Sequence, residues 1–133
     1  LITSSAASDV YKRQSHIGAV LIKDDAYIGS NCNIDRGFIE DTIIGKSVRI
    51  DNQVHIAHNC LIGDNCVIAG KSALSGSVNL GDNVVLAGDV GIADNITIGK
   101  NCLISAGTKV FKNFPEMNGK SLNISFSGLD FLN

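Results

Sequence analysis

From Ile44 to Val110 every sixth residue is aliphatic: Ile44, Ile50, Ile56, Ile62, Ile68, Leu74, Leu80, Leu86, Ile92, Ile98, Ile104 and Val110. A helix of 3.6 residues per turn would scatter this period around its surface, so it predicts no long helix here. Short parallel strands joined by tight corners fit, with three hexapeptides closing one triangular coil of 18 residues. The position four after each aliphatic is also small or β-branched: Val48, Val54, Cys60, Cys66, Ser72, Val78, Val84, Val90, Ile96, Cys102 and Thr108. Both columns should face inward. Between them fall turn formers, and Asn65, Asn83 and Asn101 suit left-handed backbone at the corners. Running backward, Ile34, Ile28 and Ile22 keep the spacing, but four extra residues separate Ile34 from Ile44. That insertion predicts a protruding loop near residues 38–43.

The period divides the chain. Residues 1–14, LITSSAASDVYKRQ, carry none of it, and DVYKRQ reads as a translated sequencing-library adapter. They are set apart from fold reasoning as non-native. Residues 15–110 are expected to form the solenoid domain, and 111–133, where the period fails, an irregular or extended tail.

Composition narrows the function. Without residues 1–14 the basic count falls from 11 to 9 and the acidic count from 13 to 12, so the net charge moves from −2 to −3. That argues against a nucleic-acid partner. No apolar run approaches the roughly 18 residues of a membrane span. All four cysteines, Cys32, Cys60, Cys66 and Cys102, fall on the "four after" column. They read as small inward hydrophobes and poor nucleophiles, and the nearest same-column pair, Cys66 and Cys102, lies two coils apart. That separation, about 9–10 Å, is too great for a disulfide and predicts a reduced, cytoplasmic setting.

Chemistry concentrates in NQVHIAHNCLIGDNC, residues 52–66. His55 precedes Ile56 and should point outward from a strand. His58 lies two after Ile56, at a corner. Adding 18 puts Gly76 beside His58, and adding 18 again puts Asp94 there. A glycine would leave space beside the imidazole and let a ligand reach a backbone N–H, which is a base-plus-oxyanion arrangement. From the pattern alone, a solvated corner histidine is the simpler reading. A metal site would need at least three convergent ligands, and this stretch offers two on different parts of a coil.

The hexapeptide pattern resembles the hexapeptide-repeat acyltransferases, a resemblance that implies an all-β, left-handed parallel β-helix. General crossover physics favours the opposite hand. Within that group, NCNIDRGFIEDTIIG (31–45), DNQVHIAHNCLIG (51–63), AGKSALSGS (69–77) and LAGDVGIADNITIG (86–99) resemble the UDP-3-O-acylglucosamine N-acyltransferases of lipid A synthesis. The resemblance implies His58 as general base and Gly76 as oxyanion N–H donor. Many members carry a second histidine in a GIAGH segment. This chain reads GIADN, so Asn95 stands there as a substrate-binding candidate that cannot take a proton near neutral pH.

The same resemblance implies a 3-hydroxyacyl donor on acyl carrier protein, a UDP-sugar acceptor and a homotrimer with active sites between subunits. It implies no cofactor beyond the 4′-phosphopantetheine carried by the donor, and no metal. It also implies a uridine-binding domain ahead of residue 15, without which the segment alone is expected to be inactive. Lys100, Lys109 and Lys112 are candidates for docking the acidic carrier protein, or are ordinary solvated lysines.

Overall fold

The computed structural model describes residues 17–117 and the backbone of Leu122–Ile124. Residues 1–14, and the end of the tail beyond that strand, lie outside the described residues. Strands two or three residues long follow one another at corners, and each pairs in parallel with the strand one coil away. Three sheets result, the faces of a triangular prism. The first face holds Val20–Ile22, Thr42–Ile44, Leu61–Ile62, Asn79–Leu80 and Thr97–Ile98. The second runs from Tyr27–Ile28 through Arg49–Ile50, Val67–Ile68 and Val85–Leu86 to Cys102–Ile104 and Leu122–Ile124. The third holds Asn33–Ile34, His55–Ile56, Ala73–Leu74, Gly91–Ile92 and Lys109–Val110.

The two inward columns explain why such short strands hold. The twelve aliphatics from Ile44 to Val110 and the eleven residues four places after them are all buried, the most exposed being Ile96 at 7%. Each fully buried Ile or Leu contributes about 1.5–3 kcal/mol relative to exposure. The polar members of the column are satisfied: the Ser72 hydroxyl donates to Ala87 O at 3.2 Å and accepts from Val90 N at 3.2 Å. Cys32 departs from its column and is only half-buried. It sits in the first described coil, which among the described residues pairs with a coil on one side only.

From Ser47 to Gly107 the corners carry a residue of positive φ at six-residue intervals: φ is 60° at Asn65, 60° at Asn83 and 67° at Asn101, as the asparagines suggest. The same conformation falls on residues that tolerate it less well, among them Lys71 at 63°. An ordinary side chain in this region costs roughly 1–2 kcal/mol, and asparagine relieves part of that. Lys71→Asn is therefore expected to stabilise the fold by about 1 kcal/mol. Thermal unfolding followed by circular dichroism reads the gain; an unchanged or lower midpoint would show that the corner imposes no strain there.

Register locates the insertion. Val20 pairs with Thr42, Tyr27 with Arg49 and Asn33 with His55, each 22 residues apart, whereas Ile43 pairs with Leu61 and the strand pairs from there to Ile92–Val110 step by 18, until Cys102 pairs with Leu122 at a separation of 20. The loop occupies residues 35–41, earlier than residues 38–43, because Thr42 and Ile43 already belong to a strand. The tail also differs from a wholly irregular segment. Phe114 bridges Ile98 on the first face, and Leu122–Ile124 adds a sixth strand to the second. Backbone pairing thus outlasts the side-chain period. Among the described residues no helix is long and apolar enough to cross a membrane.

Candidate functional site

His58 and Asn59 are the two central residues of the turn from Ala57 to Cys60, and Asn59 has φ 60°. Positive φ at the second of these positions is what a type II turn requires, and asparagine meets it cheaply. The turn throws the imidazole out of the coil toward the 35–41 loop, where Phe38 lies against it with ring centroids 4.4 Å apart and planes tilted by 32°. Half-buried, His58 has protein on both sides.

Asn59 fixes the loop and the imidazole together. Its N–H donates to Thr42 Oγ1 at 2.8 Å, its Nδ2 donates to Glu40 O at 2.9 Å, and its Oδ1 accepts from Phe38 N at 3.3 Å. These partners set the amide orientation, since only Nδ2 can donate to a carbonyl and only Oδ1 can accept from an amide. His58 Nδ1 lies 3.1 Å from that same Oδ1. Because Oδ1 has no proton to give, Nδ1 carries the hydrogen of the neutral ring and Nε2 carries the lone pair. The free nitrogen therefore faces away from the loop.

It faces Gly76. A Cβ built on Gly76 would stand 2.5 Å from His58 Nε2 and 2.6 Å from Cε1, closer than real carbon contacts come. The 18-residue stacking that puts Gly76 beside His58 agrees with the structure. The reason for the glycine differs from the expected open space, because the histidine's own ring fills it. Positive φ plays no part, since that conformation falls on Ser77, at 59°. Ser77 N–H donates to His58 O at 2.9 Å and Asn95 N–H donates to Gly76 O at 3.0 Å, which ties three coils together at this corner. Gly76 N–H donates to Asp94 Oδ1 at 3.1 Å.

The other sequence candidates separate from this pair. His55 points outward, with 46% of its side chain exposed, and its Nε2 lies 4.0 Å from Asp35 Oδ2. Asn95 is exposed at the positive-φ position, φ 61°, in the column of Asn59 and Ser77. The structure brings His58 and Gly76 into contact and leaves Asn95 one column over. Among the described residues no three His, Cys, Asp or Glu side chains gather as a metal site would need. Burial pushes the Cys60 and Cys66 thiols up to about 11, so thiolate is scarce at neutral pH. Lys109 Nζ donates to Asp89 O at 2.9 Å, and Lys112 Nζ sits 5.7 Å over the Phe114 ring.

Beside Asn59, under the loop, a cleft of about 330 Å³ runs along the first face, lined by Glu40, Asp41, Asn59, Leu61, Ser77, Val78, Asn79 and Thr97. Phe38 and Asn59 are the site residues that periodicity missed. Asn59 follows His58 directly, and its partners arise only where the insertion folds back. Asn59→Gly keeps the backbone conformation and removes the amide. With His58 acting as a base, it is expected to lower kcat of the full reading frame about ten- to a hundredfold, as when a metal-bound imidazole loses the partner of its second nitrogen. Steady-state kinetics decide, and wild-type turnover would show that Asn59 serves the loop alone.

Comparison with known proteins places the repeat in a family. The family model "Bacterial transferase hexapeptide (six repeats)" matches residues 41–76 and 77–112, more than half of the chain. UDP-3-O-acylglucosamine N-acyltransferase of Leptospira biflexa is 49% identical over 74 residues, which is 56% of this chain and 21% of the relative. The enzyme of the same name from Neisseria gonorrhoeae is 51% identical over 72 residues, 54% of this chain and 21% of that one. The matched segment thus spans about a fifth of those curated relatives.

Among solved structures, the Arabidopsis UDP-N-acetylglucosamine acyltransferase superposes with a TM-score of 0.75 at 28% identity, covering 81% of this chain and 38% of that one. LpxA from Acinetobacter baumannii superposes with a TM-score of 0.73 at 22% identity, covering 87% and 45%. The coil is the left-handed parallel β-helix of these neighbours. With its six-residue period, its three parallel faces and a match over most of the repeat, the chain belongs to the bacterial transferase hexapeptide family.

Proposed function

We propose that this chain is the acyl-transfer segment of a UDP-3-O-acylglucosamine N-acyltransferase, moving a 3-hydroxyacyl group from acyl carrier protein to the 2-amino group of the sugar in lipid A synthesis. The observation that carries this is the His58 imidazole, held through Nδ1 by Asn59 with Nε2 turned to Gly76. The amine attacks the thioester carbonyl and forms the new C–N bond. His58 Nε2 takes the amine's proton, and the carbonyl oxygen becomes an oxyanion at the Gly76 N–H. Collapse breaks the C–S bond, and the proton passes from His58 to the departing thiolate of the carrier's 4′-phosphopantetheine. No covalent enzyme intermediate is needed, and the buried thiols stay out of the path. Positioned proton transfer of this kind typically supplies 10²–10⁴-fold.

Leu21, Ile43 and Leu61 lie side by side and point outward on the first face, Leu21 being 46% and Leu61 41% exposed. This apolar stripe supports a homotrimer with the site at a subunit boundary, working in the cytoplasm, where acyl carrier protein and UDP-sugars meet. The second reading is another hexapeptide acyltransferase, one that takes its acyl group from coenzyme A. Mass spectrometry of products made by the full reading frame carrying this chain separates the two. UDP-3-O-acylglucosamine should gain one 3-hydroxyacyl mass from the acyl-carrier-protein donor. Transfer only from coenzyme A, or only to a different amine, would replace this proposal with the second reading.

A further inference from the structure

We propose that Asp94 is a rate-limiting occupant of the oxyanion position, a carboxylate that the acyl thioester must displace from the Gly76 N–H before transfer can proceed; this rests on the acyl-transfer reading. Gly76 N–H points at Asp94 Oδ1, 3.1 Å away. The contact is a device of the repeat. Lys46 N–H donates to Asp64 Oδ1 at 2.9 Å, and Asp64 N–H donates to Asp82 Oδ1 at 2.8 Å. In each case an aspartate two places after the core aliphatic reaches back one coil and satisfies a corner amide. At Lys46 and Asp64 the device satisfies an amide at a corner with no histidine beside it. At Gly76 it lands on the amide that lies against His58.

The consequence is electrostatic. An oxyanion hole works because its donors wait, unsatisfied, for charge that develops in the transition state. Here the donor already holds a full negative charge, which must leave and which repels the developing oxyanion if it stays close. Asp94 is exposed, so its carboxylate can rotate into water. The substrate bears the cost of that rotation at every turnover.

The test pairs a physical readout with turnover. On this chain, hydrogen exchange of the Gly76 amide should be faster in Asp94→Gly than in wild type and unchanged in Asp82→Gly. In the full reading frame, Asp94→Gly should raise kcat on the order of tenfold, the lower end for a hydrogen bond to a charged group because this one is partly solvated. Asp94→Asn, which keeps the acceptor without its charge, should fall between. Asp82→Gly removes the same contact at a corner without His58 and should leave kcat unchanged, which separates the site effect from a loosened coil. Wild-type activity with an unchanged or lower kcat in both Asp94 variants overturns the proposal while leaving the acyl-transfer reading intact. If wild type and variants are all folded and inert toward every thioester, that reading fails and the proposal falls with it.

Discussion

His58→Ala in the full reading frame is expected to lower kcat by about 10²–10⁴-fold with little change in the unfolding midpoint. The imidazole fills no core; it leaves the coil at a turn and meets Phe38, Asn59 and Gly76. Its loss therefore removes the proposed base without opening a cavity in the core. His55→Ala is the matched control, three residues away on an outward strand position with its ring toward Asp35, and should be nearly silent. Kinetics on both variants, with circular dichroism to verify folding, separate three outcomes. Near-wild-type turnover in His58→Ala would remove the general-base assignment. Equal loss in both variants, accompanied by loss of a bound metal, would point to a metal centre instead.

What the sequence made legible follows from how the coil is built. A solenoid converts a period in the chain into a column in space, so Ile44, Ile62, Leu80 and Ile98 can be stacked by counting, and so can His58, Gly76 and Asp94. Asparagines marked corners because few other residues tolerate positive φ. Counting fails where the chain leaves the lattice. Residues 35–41 obey no period, so Phe38 against His58 and the Asn59 amide bridging Glu40, Phe38 and His58 had no signal beyond adjacency. It also fails where strands pair without an inward column, as Leu122–Ile124 does. Counting placed Asp94 in the right column but could not tell whether its carboxylate faced water or the Gly76 N–H, since a period stacks Cα positions and does not set a side-chain rotamer.

Gly76→Ala should be the second severe lesion, and its cause can be isolated. Alanine keeps the backbone N–H, so a loss of activity cannot come from removing that donor. It must come from the methyl group, which would stand 2.5 Å from His58 Nε2. One of the two has to move. The backbone of residue 76 is held to the next coil through its own N–H to Asp94 and its carbonyl to Asn95 N, and Ser77 N–H ties the same corner back to His58 O, so the imidazole yields. Moving it breaks the contact with Asn59 Oδ1 and the packing on Phe38, which scrambles both the position and the tautomer of the base. Turnover should fall toward that of His58→Ala, with a stability loss of about 1–3 kcal/mol from overpacking. Gly76→Val should cost more, because a branched side chain has fewer rotamers with which to escape. The decisive measurement is the double variant. If alanine acts by displacing the ring, His58→Ala with Gly76→Ala should be no less active than His58→Ala alone and should regain most of the lost stability, since the methyl then enters space the imidazole has left. Multiplicative losses in activity would instead mean that Gly76 serves the reaction through a surface of its own, independent of the histidine it touches.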